Sequence, residues 1–203
     1  MRPSGPDPTV FSNLRLRGRR TYLHGTDIFS SILAFLKNRY GEIASLDVSF
    51  RRVSRRSLQI YISDTVPADS CVRFTFRSGS CSATGYLLEV GTVIDATERC
   101  LEQDILDKAT INYELRSATI ENAREFPNIN CCVAMGKELI LSTVDTSNVW
   151  LGRAHLHGRV LMEGSGLLAV QVEEKSNLPI MRTDVWFNGL EAGRIHSFLN
   201  SGS

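Results

Sequence analysis

Three histidines stand where side chains could move protons or hold a ligand. His24 is followed by Gly25, Thr26 and Asp27 at the head of an apolar run. On a helix, Asp27 lies one turn from His24 and could orient the ring or activate a water. It serves equally as an acid at the positive end of the helix dipole. His155 and His157 flank one residue, so on a strand they face the same side, as two metal ligands would. No carboxylate or cysteine at a recognisable spacing joins them, and no metal is expected. Arg51, Arg52, Arg55 and Arg56 form the densest charge cluster, RRVSRR, which is either a solvated turn or a dock for anionic groups. Gly164-Ser165-Gly166 does not follow a strand in the manner of a phosphate loop, so nucleotide binding is not expected. Cys131-Cys132 reads as packing, because a free cysteine behaves as a small hydrophobe.

The elements that must position these residues are most regular between Tyr22 and Ser63. Thr26 is the expected N-cap of a helix in which Ile28, Phe29, Ile32, Leu33, Phe35 and Leu36 cover more than half of the circumference. Such a helix is buried on most sides. Gly41 supplies its stop. Leu46, Val48 and Phe50 then alternate with polar residues, as do Leu58, Ile60 and Ile62, and Val72, Phe74 and Phe76. Ser78-Gly79-Ser80 makes a tight turn into a strand from Cys81 to Val90. Ahead of the helix, residues 1–9 read as a loose tail, and Phe11 to Tyr22 as a first strand at a charged edge. The outline is α+β: a run of antiparallel strands wrapped around one helix.

Beyond residue 92 the pattern weakens. Ala96 to Leu106 reads helical, and the mixed polar stretch up to Phe126 reads as a linker. Lys137 to Val144 looks like a strand, and Trp150 to Leu156 like another. Ile180 to Leu199 suggests a hairpin around the Asn188-Gly189 turn. The expected division is a lobe over 1–92, a linker over 93–126, and a second, abbreviated lobe over 127–203.

Charge and composition exclude several classes. With 23 basic against 22 acidic residues the net charge is +1, so no overall field draws nucleic acid or an anionic membrane. No apolar run reaches the roughly 18 residues of a membrane span, and MRPSGPDPTVF lacks the apolar core of a signal peptide. Five cysteines without a CxxC spacing favour reduced thiols over a disulfide framework. A cytoplasmic protein is the expectation.

The order of strand, buried helix and four antiparallel strands, with His24-Gly25 at the helix entrance, resembles the hotdog fold of proteins acting on acyl thioesters. Many hotdog thioesterases carry a His-Gly pair there, beside free helix N–H groups that polarise a thioester carbonyl. A second resemblance lies in HLHGRVLMEG, residues 155–164. Hotdog dehydratases carry a motif His-Phe-Pro-Gly-x-Pro-x-x-Pro-Gly, and His155, Gly158 and Gly164 match it in spacing. The three prolines are absent, and the acid expected further on falls at Ala169. Leu23-His24-Gly25 and Leu156-His157-Gly158 also echo each other, as the two helix entrances of a duplicated hotdog would.

The resemblance implies action on an acyl thioester, carried by coenzyme A or an acyl carrier protein, as a dehydratase-like or thioesterase-like enzyme without a cofactor. His24, Asp27 and His155 would then move protons. Gly25, Thr26, Gly158 and Gly164 would hold the thioester, and the four arginines would dock the phosphates of its carrier. Hotdog units pair, so either a homodimer or a pseudo-dimer of two lobes is implied. The alternative is a non-catalytic hotdog protein that binds an acyl group or a partner subunit.

Overall fold

The computed structural model describes residues 9–11, 14, 16–17, 23–93, 96–97, 101–122, 124–144, 146, 148–162, 164–173 and 179–200. The chain begins with two short strands, β1 (Thr9–Phe11) and β2 (Leu16–Arg17), followed by helix α1 (Gly25–Tyr40). Four strands come next: β3 (Ser45–Phe50), β4 (Arg56–Ile62), β5 (Ser70–Ser78) and β6 (Cys81–Val93). Residues 1–8 of the expected tail and most of the expected first strand lie outside the described residues, and Thr9, the last residue read as tail, opens β1. The other elements of this half follow the alternation of the sequence. Leu46, Val48, Leu58, Ile60, Phe74 and Phe76 are buried against α1, whose own Ile28, Phe29, Ile32, Leu33 and Leu36 close the core. Gly41 ends α1 at φ 77°, with its N–H on the Lys37 carbonyl. Thr26 is not the N-cap: His24 occupies that position, and Thr26 is buried in the first turn.

The second half departs further from expectation. A two-residue strand β7 (Ala96–Thr97) pairs in parallel with β2, and a short helix α2 (Leu101–Leu106) follows. The stretch read as a linker then contributes two strands, β8 (Thr110–Asn112) and β9 (Ser117–Asn122), so the sheet of this half begins before residue 127. Lys137 to Val144, read as a strand, is the end of a second buried helix, α3 (Asn128–Thr143). Ile129, Cys131, Cys132, Met135, Leu139 and Ile140 form its buried face. Period alone could not separate this short apolar run from a strand. Four strands complete the chain: β10 (Asn148–His157), β11 (Gly166–Val172), β12 (Ile180–Phe187) and β13 (Leu190–Asn200). The hairpin turns at Asn188 and Gly189, at φ 51° and 79°.

Among the described residues, eleven strands form one antiparallel sheet in the order β1-β4-β6-β5-β3-β10-β13-β12-β11-β9-β8. Its seam is the pairing of β3 with β10, Leu46 opposite Leu156 and Val48 opposite Ala154. Each half wraps one helix, and α1 and α3 touch inside. The halves agree in strand direction but not in connection: β4 pairs with β6, and β5 lies between β6 and β3, whereas β11, β12 and β13 run as a simple meander. The segment 155–164 is not a helix entrance. It is the end of β10 followed by a 3-10 turn from Gly158 to Met162, so the echo of His24-Gly25 at His157-Gly158 does not mark equivalent positions. The second helix is entered through Pro127 instead.

Candidate active site

His24 sits where the chain turns into α1, its backbone extended (φ −74°, ψ 132°) and its side chain mostly buried. The ring is held from both nitrogens. Nδ1 lies 2.7 Å from the Thr26 hydroxyl, and Nε2 lies 3.3 Å from a carboxylate oxygen of Glu102, on α2. The other oxygen of Glu102 accepts a hydrogen bond of 2.7 Å from the ammonium of Lys137, on α3. Three helices from both halves of the chain thus meet at one chain of polar groups. The carbonyl of His24 accepts from the N–H groups of Asp27 and Ile28. The first-turn amides of Gly25 and Thr26 have no acceptor within the helix.

This group forms one wall of a cavity of about 240 Å³. Leu23, Ile28, Val133, Val149, Leu151 and Phe198 supply much of its apolar lining, with Gly25 at the foot of α1 and Trp150 beside it. Gly25 is tightly seated, since a Cβ there would come within 2.9 Å of the Leu151 side chain. Arg51 and Arg52 line the cavity on the side of the β3–β4 turn. Arg51 donates to the Ser70 hydroxyl at 3.0 Å, and Arg52 to the Asp69 carbonyl at 2.8 Å. Arg55 and Arg56 are exposed and do not line it. The turn is tied down by Glu89, which accepts from the Ser54 hydroxyl and the Arg55 N–H. Burial alone would raise the Glu89 carboxyl, but these donors and the charges of Arg52 and Arg56 hold it below the usual carboxylate range.

The remaining sequence-predicted residues lie elsewhere. Asp27 is in the first turn of α1, half-buried and outside the cavity lining. His155 projects from the outer face of β10, 46% exposed in its side chain, while Ala154 and Leu156 point inward. It stands 3.5 Å from Asp47, beside the Arg153–Asp47 ion pair. His157 lies on the same face, its ring 6.0 Å from that of His155. Gly158, at φ 66°, starts the 3-10 turn, and Gly164 precedes β11; neither lines the cavity. Among the described residues no group of three histidine, cysteine or acidic side chains is placed to hold a metal ion.

The entrance of α3 is closed. Asn128 donates to the Val160 carbonyl at 2.9 Å and accepts from Asn122 at 2.8 Å. Val160 and Leu161 of the 3-10 turn are buried there against Phe29 and Ile129, leaving a void of only about 10 Å³. Of the two helix entrances, that of α1 opens onto the larger space.

No family model and no curated protein matches the sequence. Solved structures do match in shape. A protein described as a thioesterase II from Thermobifida fusca aligns over 97% of this chain and 94% of its own, with a TM-score of 0.55 at 12% identity. The dehydratase domain of a mycocerosic acid synthase-like polyketide synthase aligns over 99% and 94%, with a TM-score of 0.52 at 10% identity. A tesB protein from Mycobacterium avium subs. paratuberculosis aligns over 95% and 93%, with a TM-score of 0.50 at 11% identity. The chain has the hotdog fold. Both halves of this hotdog protein fall within those alignments. Two members of its polar group, Glu102 and Lys137, carry no sequence signal: each is an ordinary charged residue in a stretch read as linker or strand.

Proposed function

We propose that this hotdog protein hydrolyses an acyl thioester held in the α1 cavity. The observation that carries the reading is the His24–Glu102–Lys137 group on the wall of an apolar cavity at the entrance of α1. The acyl chain lies against Ile28, Val133 and Leu151, and the thioester carbonyl points at the amide of Gly25, which stabilises negative charge on its oxygen. Thr26 faces away from this cavity and supports His24 instead. A water attacks the carbonyl carbon and gives its proton to Glu102, assisted by the His24 imidazole. The C–S bond then breaks, and the proton returns to the departing thiolate, leaving a carboxylic acid and a free thiol. No cofactor is needed. Arg51 and Arg52 suit a phosphate of the thiol carrier, either coenzyme A or the phosphopantetheine arm of an acyl carrier protein. The names of the structural neighbours, thioesterase and dehydratase domain, support the same class of chemistry.

Dehydration is the second reading, and one contact weighs against it. Removal of a β-hydroxyl needs an acid that donates a proton. Glu102 is salt-bridged to Lys137, which favours a carboxylate that accepts one. His155 has no part in either reaction from the outer face of β10, and Asp27 acts as a helix-dipole residue. The seam between β3 and β10 supplies within one chain the pairing that hotdog units otherwise gain by dimerising, which supports a pseudo-dimer. No helix is long and apolar enough to cross a membrane among the described residues.

The test is thiol release from a panel of acyl-CoA and acyl-carrier thioesters, with His24→Ala and Glu102→Gln beside the wild type. Hydrolysis that falls by about a hundredfold or more in both variants is the expected result. Loss of water from a β-hydroxyacyl thioester without thiol release would replace hydrolysis by dehydration. Thioester binding with no turnover would make this a non-catalytic acyl-binding protein.

A further inference from the structure

Behind the polar group lies a second, very small void of about 10 Å³, lined by His24, Thr26, Glu102 and Asn130 together with the apolar Ile105, Val133 and Ala134. Its size suits one water molecule, and its four polar side chains meet the two to four partners that a buried water needs. A second observation points to the same occupant. Asn130, in the first turn of α3, is 5% exposed, and its side-chain oxygen has no hydrogen-bond partner among the described residues. A buried amide oxygen left without a donor bears its full desolvation penalty. Such a group signals an unseen partner.

We propose that one ordered water fills this void, donates to Asn130 Oδ1, and makes Asn130 a positioning residue for His24. The logic runs through Thr26. Its hydroxyl has one hydrogen to give and two lone pairs to receive with. A water that gives one hydrogen to Asn130 gives the other to Thr26, and the Thr26 hydrogen is then directed to His24 Nδ1. That fixes the imidazole as the Nε2–H tautomer, which faces Glu102 on the cavity side. Asn130 thus acts on the proton-handling pair without touching substrate. In hydrolysis this second water is a spectator, distinct from the one that attacks the thioester.

The kinetic arm of the test rests on the hydrolytic reading; the structural arm does not. A crystal structure of the wild-type protein at high resolution is expected to show one well-ordered water within hydrogen-bond distance of Asn130 Oδ1 and Thr26 Oγ1. An empty void there overturns the proposal whatever the protein catalyses. Asn130→Leu removes the acceptor and fills the space, and Asn130→Asp keeps an acceptor at the same place. The leucine variant is expected to lose about ten- to a hundredfold in kcat with KM unchanged, since a displaced catalytic ring costs of that order. The aspartate variant is expected to recover most of that loss. Wild-type kcat in Asn130→Leu, or equal losses in both variants, overturns the positioning role. Should the leucine variant not fold, Asn130→Ser, whose hydroxyl can donate and accept, is expected to hold the water and keep near-wild-type kcat; a rate loss in Asn130→Ser with the water still present would overturn the role.

Discussion

Lys137, on α3, reaches Glu102, on α2, so α3 takes part in the site through this ion pair as well as through Val133. Replacing Lys137 by Met leaves a partly buried carboxylate without its cation, and kcat is expected to fall by about tenfold or more, with a smaller change in KM. Lys137→Arg restores charge but brings a planar fork in place of a point donor, and is expected to recover only part of the rate. Steady-state thiol release on the three proteins checks this. The cysteines give a second expectation. Burial pushes the Cys71 thiol up to about 11 and the Cys131 thiol up to about 12, and burial beside Cys131 raises Cys132 further. Alkylation of the native protein near pH 8 is therefore expected to spare these three and label the exposed Cys81, as peptide mass spectrometry would read. At this scale the sequence was half legible. The His24-Gly25 pair stood out because its types and its place before an apolar run both mean something. Glu102 and Lys137 became meaningful only when three helices brought them together.

Elements were legible where the hydrophobic period was long and clean. The helix α1 and strands β3 to β6 follow their alternation because each buries one face on the same core. The helix α3 hid for a physical reason: its first turn has no acid and no capping side chain, and its last residues, Lys137 to Thr143, alternate well enough to pass for a strand. Strand β8 was missed because it is three residues long at the sheet end, and β9 because its inward positions, Ala118, Ile120 and Asn122, carry only one large apolar side chain. One element carries a sharp constraint. At Gly193, in β13, φ is 136° and a Cβ would lie 2.0 Å from the His155 carbonyl oxygen, next to the bulge where β12 and β13 shift register. Gly193→Ala is expected to cost about 2–4 kcal/mol, because both the backbone conformation and the packing resist it. Urea unfolding against the wild type measures that cost.

On the scale of the whole molecule, stability depends on the seam between β3 and β10. Arg153 and Asp47 join across it on the outer face, with Arg153 Nε donating to Asp47 at 2.9 Å and His155 close by. Partial burial alone would raise the Asp47 carboxyl, but the hydrogen bond and charge of Arg153, with His155, hold it below the usual range. The folded value being lowered, the stabilisation is present above the unfolded value, about 3.9, and fades as pH falls through the folded one. Asp47→Asn is expected to lose less than about 1 kcal/mol at pH 7, because Arg153 is half exposed. The gap to wild type should close below about pH 4, as denaturation at pH 7 and pH 3 would show. The echo of Leu-His-Gly, from which a duplication could be read, falls at unlike positions in the fold: one copy at the entrance of α1, the other where β10 ends in a 3-10 turn. The closed entrance of α3 has a consequence in stoichiometry. A cavity of about 240 Å³ at one helix entrance and a void of only about 10 Å³ at the other mean that a tight thioester analogue should titrate at one equivalent per chain, along a simple hyperbola. Any sigmoid response would have to arise between chains, never between the two halves of one.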